Sequence, residues 1–257
     1  MMIIILKAPI SMLILHQFES SHFNDKVRWA LDFKKIPHKR ISYLPGPHIP
    51  QIRRRSGGPT TTPLLQHADG FVSGSAAIID WLEAEHPHPA LYPEGEASRT
   101  FALGVQSHFD SIVGPATRTA VFSVFIHEPG YLCRTFAASK GPLKRLAYRA
   151  TLPLAMPLIR KGNLVYPDNI ARSIDLCRST LDQLAEDIAA TGYLAGNGFS
   201  IADLTAASLL APLANVSHPD MRRPEPIPES LRTFLAQWQP HPAIQWVHQM
   251  YARHRSQ

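Results

Sequence analysis

"TTTPLLQHADGFVSGSAAIIDWL", residues 60–82, reads as two short strands, "TPLLQH" and "GFVSG", followed by the helix "SAAIIDWLEAEHP". A strand can open on Pro63 because proline's missing N–H is tolerated at an edge or first position. Working back from this stretch, "LILHQF", a helical pattern and "KRISYL" come first, and a loop joins them to Pro63. From Leu13 to about Pro87 the order is therefore β-α-β, then β-β-α. In the first helix Phe23, Val27, Ala30 and Leu31 share one face, while Trp29 and Phe33 form a second stripe four residues apart. A helix apolar on two sides is packed inside a domain.

Working forward, "HPHPALYPEG" at 86–95 is rich in proline and ends the helix before it. The boundary falls there, giving a mixed unit over 12–87, a linker over 88–98 and a second unit over 99–257. Beyond the linker the strand signal disappears. Ile174, Cys177, Leu181, Leu184 and Ile188 recur at spacings of three and four, the mark of an amphipathic helix. "GFSIADLTAASLLAPL" opens another, with Ser200 as N-cap, Asp203 completing a capping box and Phe199 stapling against Leu204. The last helix, "HPAIQWVHQMYARH", shares Ile244, Val247 and Tyr251 on one face. The second half is all-helical.

Composition bounds the partners. The chain has 257 residues, 45% of them hydrophobic, enough for a buried core. Its +6 charge is scattered, the tightest cluster being Arg53-Arg54-Arg55, and no basic stripe or aromatic-interleaved basic motif points to nucleic acid. No apolar run reaches the ~18 residues of a membrane span. "MMIIILKAPISMLIL" is interrupted by Lys7 and Pro9 and lacks a small-residue cleavage site, so residues 1–11 are expected to be an extension rather than a signal peptide. Two cysteines, Cys133 and Cys177, give no disulfide framework and fit a reducing, cytoplasmic setting. The first half has no cysteine at all, which excludes a thiol-disulfide mechanism there. "HPH" at His86 and His88 lacks further ligands at a metal spacing, and no metal is expected.

The α/β half carrying "TTTPLLQHADGFVSGSAAIIDWL", the Pro-rich linker and the helical half carrying "GYLAGNGFSIADLTAA" together resemble a cytosolic glutathione transferase of the serine-type, bacterial-like kind. The resemblance runs from about Met12 to Arg255. It implies a thioredoxin-like N-terminal domain followed by an all-helical C-terminal domain, glutathione as cosubstrate, a small hydrophobic electrophile and a homodimer. The implied activity is conjugation of the glutathione thiol, or its use to reduce a peroxide; the alternative is a non-catalytic binding or interaction protein on the same fold.

Glutathione's thiol has a pKa near the cysteine value of about 8.5, and only the thiolate attacks. Lowering that pKa by about two units takes roughly 2.7 kcal/mol. A hydroxyl bonded to a charged sulfur is worth about 1.5–3 kcal/mol, and a helix N-terminus about 0.3–1 kcal/mol. "FESSHFNDKVRWAL", residues 18–31, offers both. Aligned on "KVRWAL", Ser21 takes the position of the family's catalytic serine, with Ser20 the second choice; either hydroxyl also suits a plain helix cap. By the same resemblance Thr62 and a cis Pro63 bind the cysteinyl part of the peptide. Ser75, opening a helix, binds the γ-glutamyl carboxylate. Gly74 stands where the family has Glu, Asp or Gln, and one polar contact is lost. His48 or Arg53 is the candidate cation for the glycine carboxylate. His22, replacing a family proline, is expected to be solvent-exposed. The second substrate is expected between the domains near His108, Phe109, Arg118 and Phe122, and the long proline-broken segment 131–163 is expected as its lid or as a dimer contact.

Overall fold

The two runs after Pro63 form a hairpin. In the computed structural model, which describes residues 12–255, β3 (Leu64–His67) and β4 (Gly70–Ser73) pair antiparallel with Leu65 opposite Val72. β1 (Leu13–Gln17) lies antiparallel to β3 and parallel to β2 (His38–Ser42), with Leu15 opposite both Leu65 and Arg40. The sheet order is β2-β1-β3-β4. Two helices, α1 (His22–Phe33) and α3 (Ser75–Glu85), contact one another and supply Val27, Leu31, Ile78 and Leu82 to the core. This is a thioredoxin-like domain, and a helical domain follows it. The expected extension over 1–11 lies outside the described residues.

The stretch between β2 and Pro63, expected as loop, contains α2 (His48–Ser56). Ile52 is its one buried residue, so the helix leaves almost no periodic signal; Gly57, left-handed at φ 68°, ends it. The first helix of the helical domain begins inside the stretch expected as linker: α4 (Glu96–His108) starts three residues after the last proline of that stretch, Pro93. A π-helical turn (Phe109–Val113) joins it to α5 (Gly114–Phe125), and α6 (Pro129–Phe136), α7 (Pro142–Gly162), α8 (Pro167–Asp187), α9 (Ile201–Ala214), α10 (Glu229–Ala236) and α11 (Pro242–His254) follow. Much of the proline content is thereby explained. Proline sits in the first turn of α5, α6, α7, α8 and α11, where a missing N–H is no loss.

The segment 131–163, read as proline-broken, holds the end of α6 and then α7, which is broken from α6 at 137–141 but runs unbroken through Pro153 and Pro157. Both prolines are exposed, so the backbone carbonyls they leave without an N–H partner lie on the wet side of the helix. Every residue of α9 is buried, and α9 packs on α1, α4, α5 and α11, joining the two domains in one core. Its capping box is complete: Ser200 N–H and Oγ donate to Asp203 Oδ2, and Ala202 N–H donates to Ser200 Oγ. Phe199 stacks on the rings of Trp29 and His254, at 5.6 and 4.3 Å.

Charged residues of α1 face this junction. Lys26, fully buried, meets Asp110 at 2.6 Å. Asp25, Asp32 and Asp220 interleave with Arg28, Arg40 and Arg255, with Asp220 accepting from Arg255 at 2.6 Å and from Arg40 at 2.8 Å. No helix among the described residues is long and apolar enough to cross a membrane.

Candidate functional site

The chain leaves β1 at Gln17 and enters α1 at His22, so Ser20 and Ser21 occupy the turn between sheet and helix. Ser21 is the N-cap in extended conformation, and its carbonyl accepts from Asp25 N–H at 2.8 Å. Its hydroxyl makes no hydrogen bond to the helix, and the residue lines a cavity of about 210 Å³. Ser20 differs: its Oγ donates to Thr135 O of α6 at 3.2 Å. The two serines share the cavity wall but differ in what their hydroxyls are free to do.

Thr62 lines the same cavity, its Oγ1 accepting from Asn24 Nδ2 at 3.2 Å, and the bond to Pro63 is cis. Pro63 O in turn accepts from Gly74 N–H at 3.0 Å, which ties the start of β3 to the start of α3. Ser75 is buried at that helix start. Gly74 has φ 93° with no atom within 4 Å of where a Cβ would stand. Backbone conformation, not crowding, favours glycine there. Gly74, Ser75 and Pro63 are linked to one another but do not line the cavity.

Of the two candidate cations, His48 lines the cavity, edge-on to Phe18 at 4.7 Å, with burial lowering its pKa. Arg53 does not reach it. It is exposed, because the next-door residue Ile52 is the one α2 turns inward and successive helical residues point about 100° apart.

His22 is not exposed. Its Nε2–H donates to Gly114 O at 3.0 Å, and burial, reinforced by the positive charge of Arg118, drives its pKa down to about 3. It is therefore a neutral, domain-joining group. The expected exposure fails because α1 packs into the core of its own domain on one side and against α9 of the helical domain on the other.

The opposite wall comes from the helical domain: Arg118 and Phe122 of α5, Leu132 and Phe136 of α6, Tyr148 and Ile159 of α7. Of the four residues expected near the second substrate, Arg118 and Phe122 line this cavity, whereas His108 and Phe109 line a separate one with Leu176 and Leu184. Tyr148 and Ile159 carry no sequence signal beyond the unusual length of their segment. A smaller space of about 50 Å³ adjoins the first, sharing Ser20, His22, Arg118, Phe122 and Phe136, and is closed by Met221 and Arg223. Elsewhere, Asp25, His218 and Asp220 bring ligand-type atoms within 4.8 Å of one another, but both carboxylates already bond to arginines.

Over residues 15–90 the chain matches the glutathione S-transferase N-terminal domain, and over 167–253 the glutathione S-transferase C-terminal domain. The chain belongs to the glutathione transferase family. As a glutathione transferase fold it is similar to a glutathione S-transferase from Rhodospirillum rubrum F11 (TM-score 0.62, 18% identity, covering 94% of this chain and 89% of that one). It is likewise similar to a glutathione S-transferase from Methylobacterium radiotolerans in complex with glutathione sulfonate (TM-score 0.59, 18% identity, 95% and 92% covered). A maleylpyruvate isomerase from Ralstonia sp. is 24% identical over 131 residues, 50% of this chain. That match spans 58% of the isomerase's length.

Proposed function

We propose that this glutathione transferase family member is a glutathione-dependent enzyme, in which Ser21 stabilises the thiolate of the tripeptide and the helical domain holds a small, largely apolar electrophile or peroxide. One observation carries the reading. Ser21, at the N-terminus of α1 and with a hydroxyl that makes no hydrogen bond to its helix, lines a cavity to which the helical domain contributes Phe122, Leu132, Phe136 and Ile159. A hydroxyl so placed can donate to a sulfur anion that the helix N-terminus also favours. Ser20, already donating to Thr135 O, is the weaker candidate.

In this reading Thr62 and cis-Pro63 meet the cysteinyl backbone, and the first turn of α3 at Ser75 takes the γ-glutamyl carboxylate. His48, kept mostly neutral by burial, gives the glycine end a hydrogen-bonding group more than a full charge. The glutathione sulfonate held by the Methylobacterium radiotolerans relative supports a tripeptide site in this fold. α7, which contributes Tyr148 and Ile159, forms the cover of the acceptor space. The proposal includes a cytoplasmic homodimer, as the family resemblance implies. The partial likeness to a maleylpyruvate isomerase supports a second reading, in which the same activated thiolate adds to and leaves an unsaturated substrate, isomerising it.

Calorimetric titration with glutathione, with the thiol's ultraviolet absorbance followed against pH on the same sample, tests the proposal. Saturable binding with a thiol pKa about two units below the free value is expected, and Ser21→Ala should return that pKa most of the way and reduce turnover about 10- to 100-fold. Tight binding with an unshifted thiol pKa would leave a binding protein, and no binding at millimolar glutathione would remove the tripeptide site altogether.

A further inference from the structure

Arg118 stands apart from the other arginines at the domain junction. Arg28, Arg40 and Arg255 each meet at least two carboxylates. Arg118 has no hydrogen-bond or ion-pair partner among the described residues; its Nε is buried and unpaired. It lines both the cavity beneath Ser21 and the smaller space behind it, and no Asp or Glu lines either one. Tyr148, which lines the larger cavity from the same helical domain, also has a buried hydroxyl without a partner. Deeper in, Arg223 is satisfied only by neutral acceptors, Asn215 Oδ1 and Pro212 O, both at 2.7 Å.

A half-buried guanidinium whose Nε is cut off from water and which has no anion nearby loses part of its solvation without compensation from the chain. Its field is felt within the site, since it helps hold His22 neutral. The arrangement becomes balanced when a ligand brings the missing negative charge: a carboxylate accepts two parallel N–H bonds from one guanidinium and leaves a lone pair for a phenolic hydroxyl. The surrounding wall, Phe122, Phe136 and Ile159, suits an apolar body attached to that carboxylate.

We propose that the acceptor substrate of this site is a carboxylic acid, its apolar body lying against α5 and α6 and its carboxylate paired with Arg118 and hydrogen-bonded by Tyr148. The inference rests on reading the cavity as the acceptor site and adds to it the charge of the substrate.

Two aromatic electrophiles that differ in one group, 4-chloro-3-nitrobenzoate and 4-chloro-3-nitrobenzamide, test it on the full chain. In each the glutathione sulfur forms the new C–S bond and chloride leaves with its electron pair. Wild-type protein should prefer the carboxylate by about 10- to 100-fold in kcat/KM, relative to the uncatalysed rates, the range of a hydrogen bond to a charged group. Arg118→Leu should collapse that ratio towards one, and Arg118→Lys should leave it intermediate, since ammonium keeps the charge and loses the fork. Equilibrium titration with the unreactive 3-nitrobenzoate and 3-nitrobenzamide, at saturating S-methylglutathione, reads the same preference without turnover. If neither electrophile is turned over but the benzoate still binds at least tenfold more tightly than the benzamide, and Arg118→Leu erases the difference, the carboxylate site stands while the proposed enzyme fails. Equal affinity of wild-type protein for the two titrants overturns the inference whatever the variants do, and so does a preference that survives in a folded Arg118→Leu.

Discussion

Replacing Asp220 by Ala would test whether charge holds the two domains together. Its Oδ2 meets Arg255 at 2.6 Å and Arg28 at 3.3 Å, and its Oδ1 meets Arg40 at 2.8 Å. Two of those arginines belong to the thioredoxin-like domain, so one carboxylate spans the junction. Without it three guanidiniums face only Asp25 and Asp32. Breaking a fully buried pair costs about 3–5 kcal/mol, whereas an exposed pair is worth about 0–1 kcal/mol. With 19% of the Asp220 side chain open to water, a loss of about 2–4 kcal/mol is expected. For a chain of this size that lowers the melting temperature by roughly 4–16 °C. The pH dependence has a definite sign. Burial opposes ionisation of Asp220, but Arg28, Arg40 and Arg255 outweigh it and hold the carboxyl below its ordinary value. Its contribution is thus fully present above the unfolded pKa of about 3.9 and is lost as pH falls through the lower folded value. Thermal melts of wild type and Asp220→Ala, from pH 8 down to the acid limit of folding, should show a constant gap above about pH 5 that narrows only below about pH 4. A gap under about 1 kcal/mol at pH 7 would mean that the pairs act as surface pairs do, and the junction would have to be held by packing alone.

Two further substitutions probe what positions the site. At Gly114 a Cβ would stand 2.8 Å from Phe23 Cζ and 3.1 Å from Leu209 Cδ1, so Gly114→Ala should cost about 1–3 kcal/mol by overpacking; chemical denaturation measures this, and an unchanged midpoint would show that the Phe23 ring yields freely. Asp203→Ala would strip the acceptors from the buried N–H groups of Leu194 and Ser200, with an expected loss of about 2–5 kcal/mol, read as a fall in melting temperature that Asp203→Asn only partly reproduces.

What the sequence made legible was what depends on neighbours along the chain. The hairpin after Pro63 is a strand pair because two short apolar runs abut, and the Ser200–Asp203 box closes within four residues. What it hid depends on distant partners or on weak periodicity. α2 has one buried residue and so shows no apolar face. His22 is buried by a helix more than ninety positions away, through Gly114 O. α7 continues through two prolines because their solvent side tolerates unpaired carbonyls, a fact about exposure that no local pattern contains. The candidate site divides along the same line: Ser21 and Thr62 lie near motifs that could be aligned, whereas Tyr148 and Ile159 come from a segment for which a lid was one of two expected roles but within which no residue stood out.

The same distinction explains why the arginines mean different things. At the junction, aspartates outside α1 and α1's own charged groups are matched so closely that Arg28 and Arg255 are shared between carboxylates of different elements. Such matching is what folding alone requires of buried charge, because each desolvated ion must be compensated within the chain. Arg118 lies in the same junction region and on the same kind of packed helix, yet nothing in the described chain compensates it. A chain that supplies carboxylates to Arg28, Arg40 and Arg255 and neutral acceptors to Arg223, and places neither on Arg118, leaves the counter-charge to be brought by what binds.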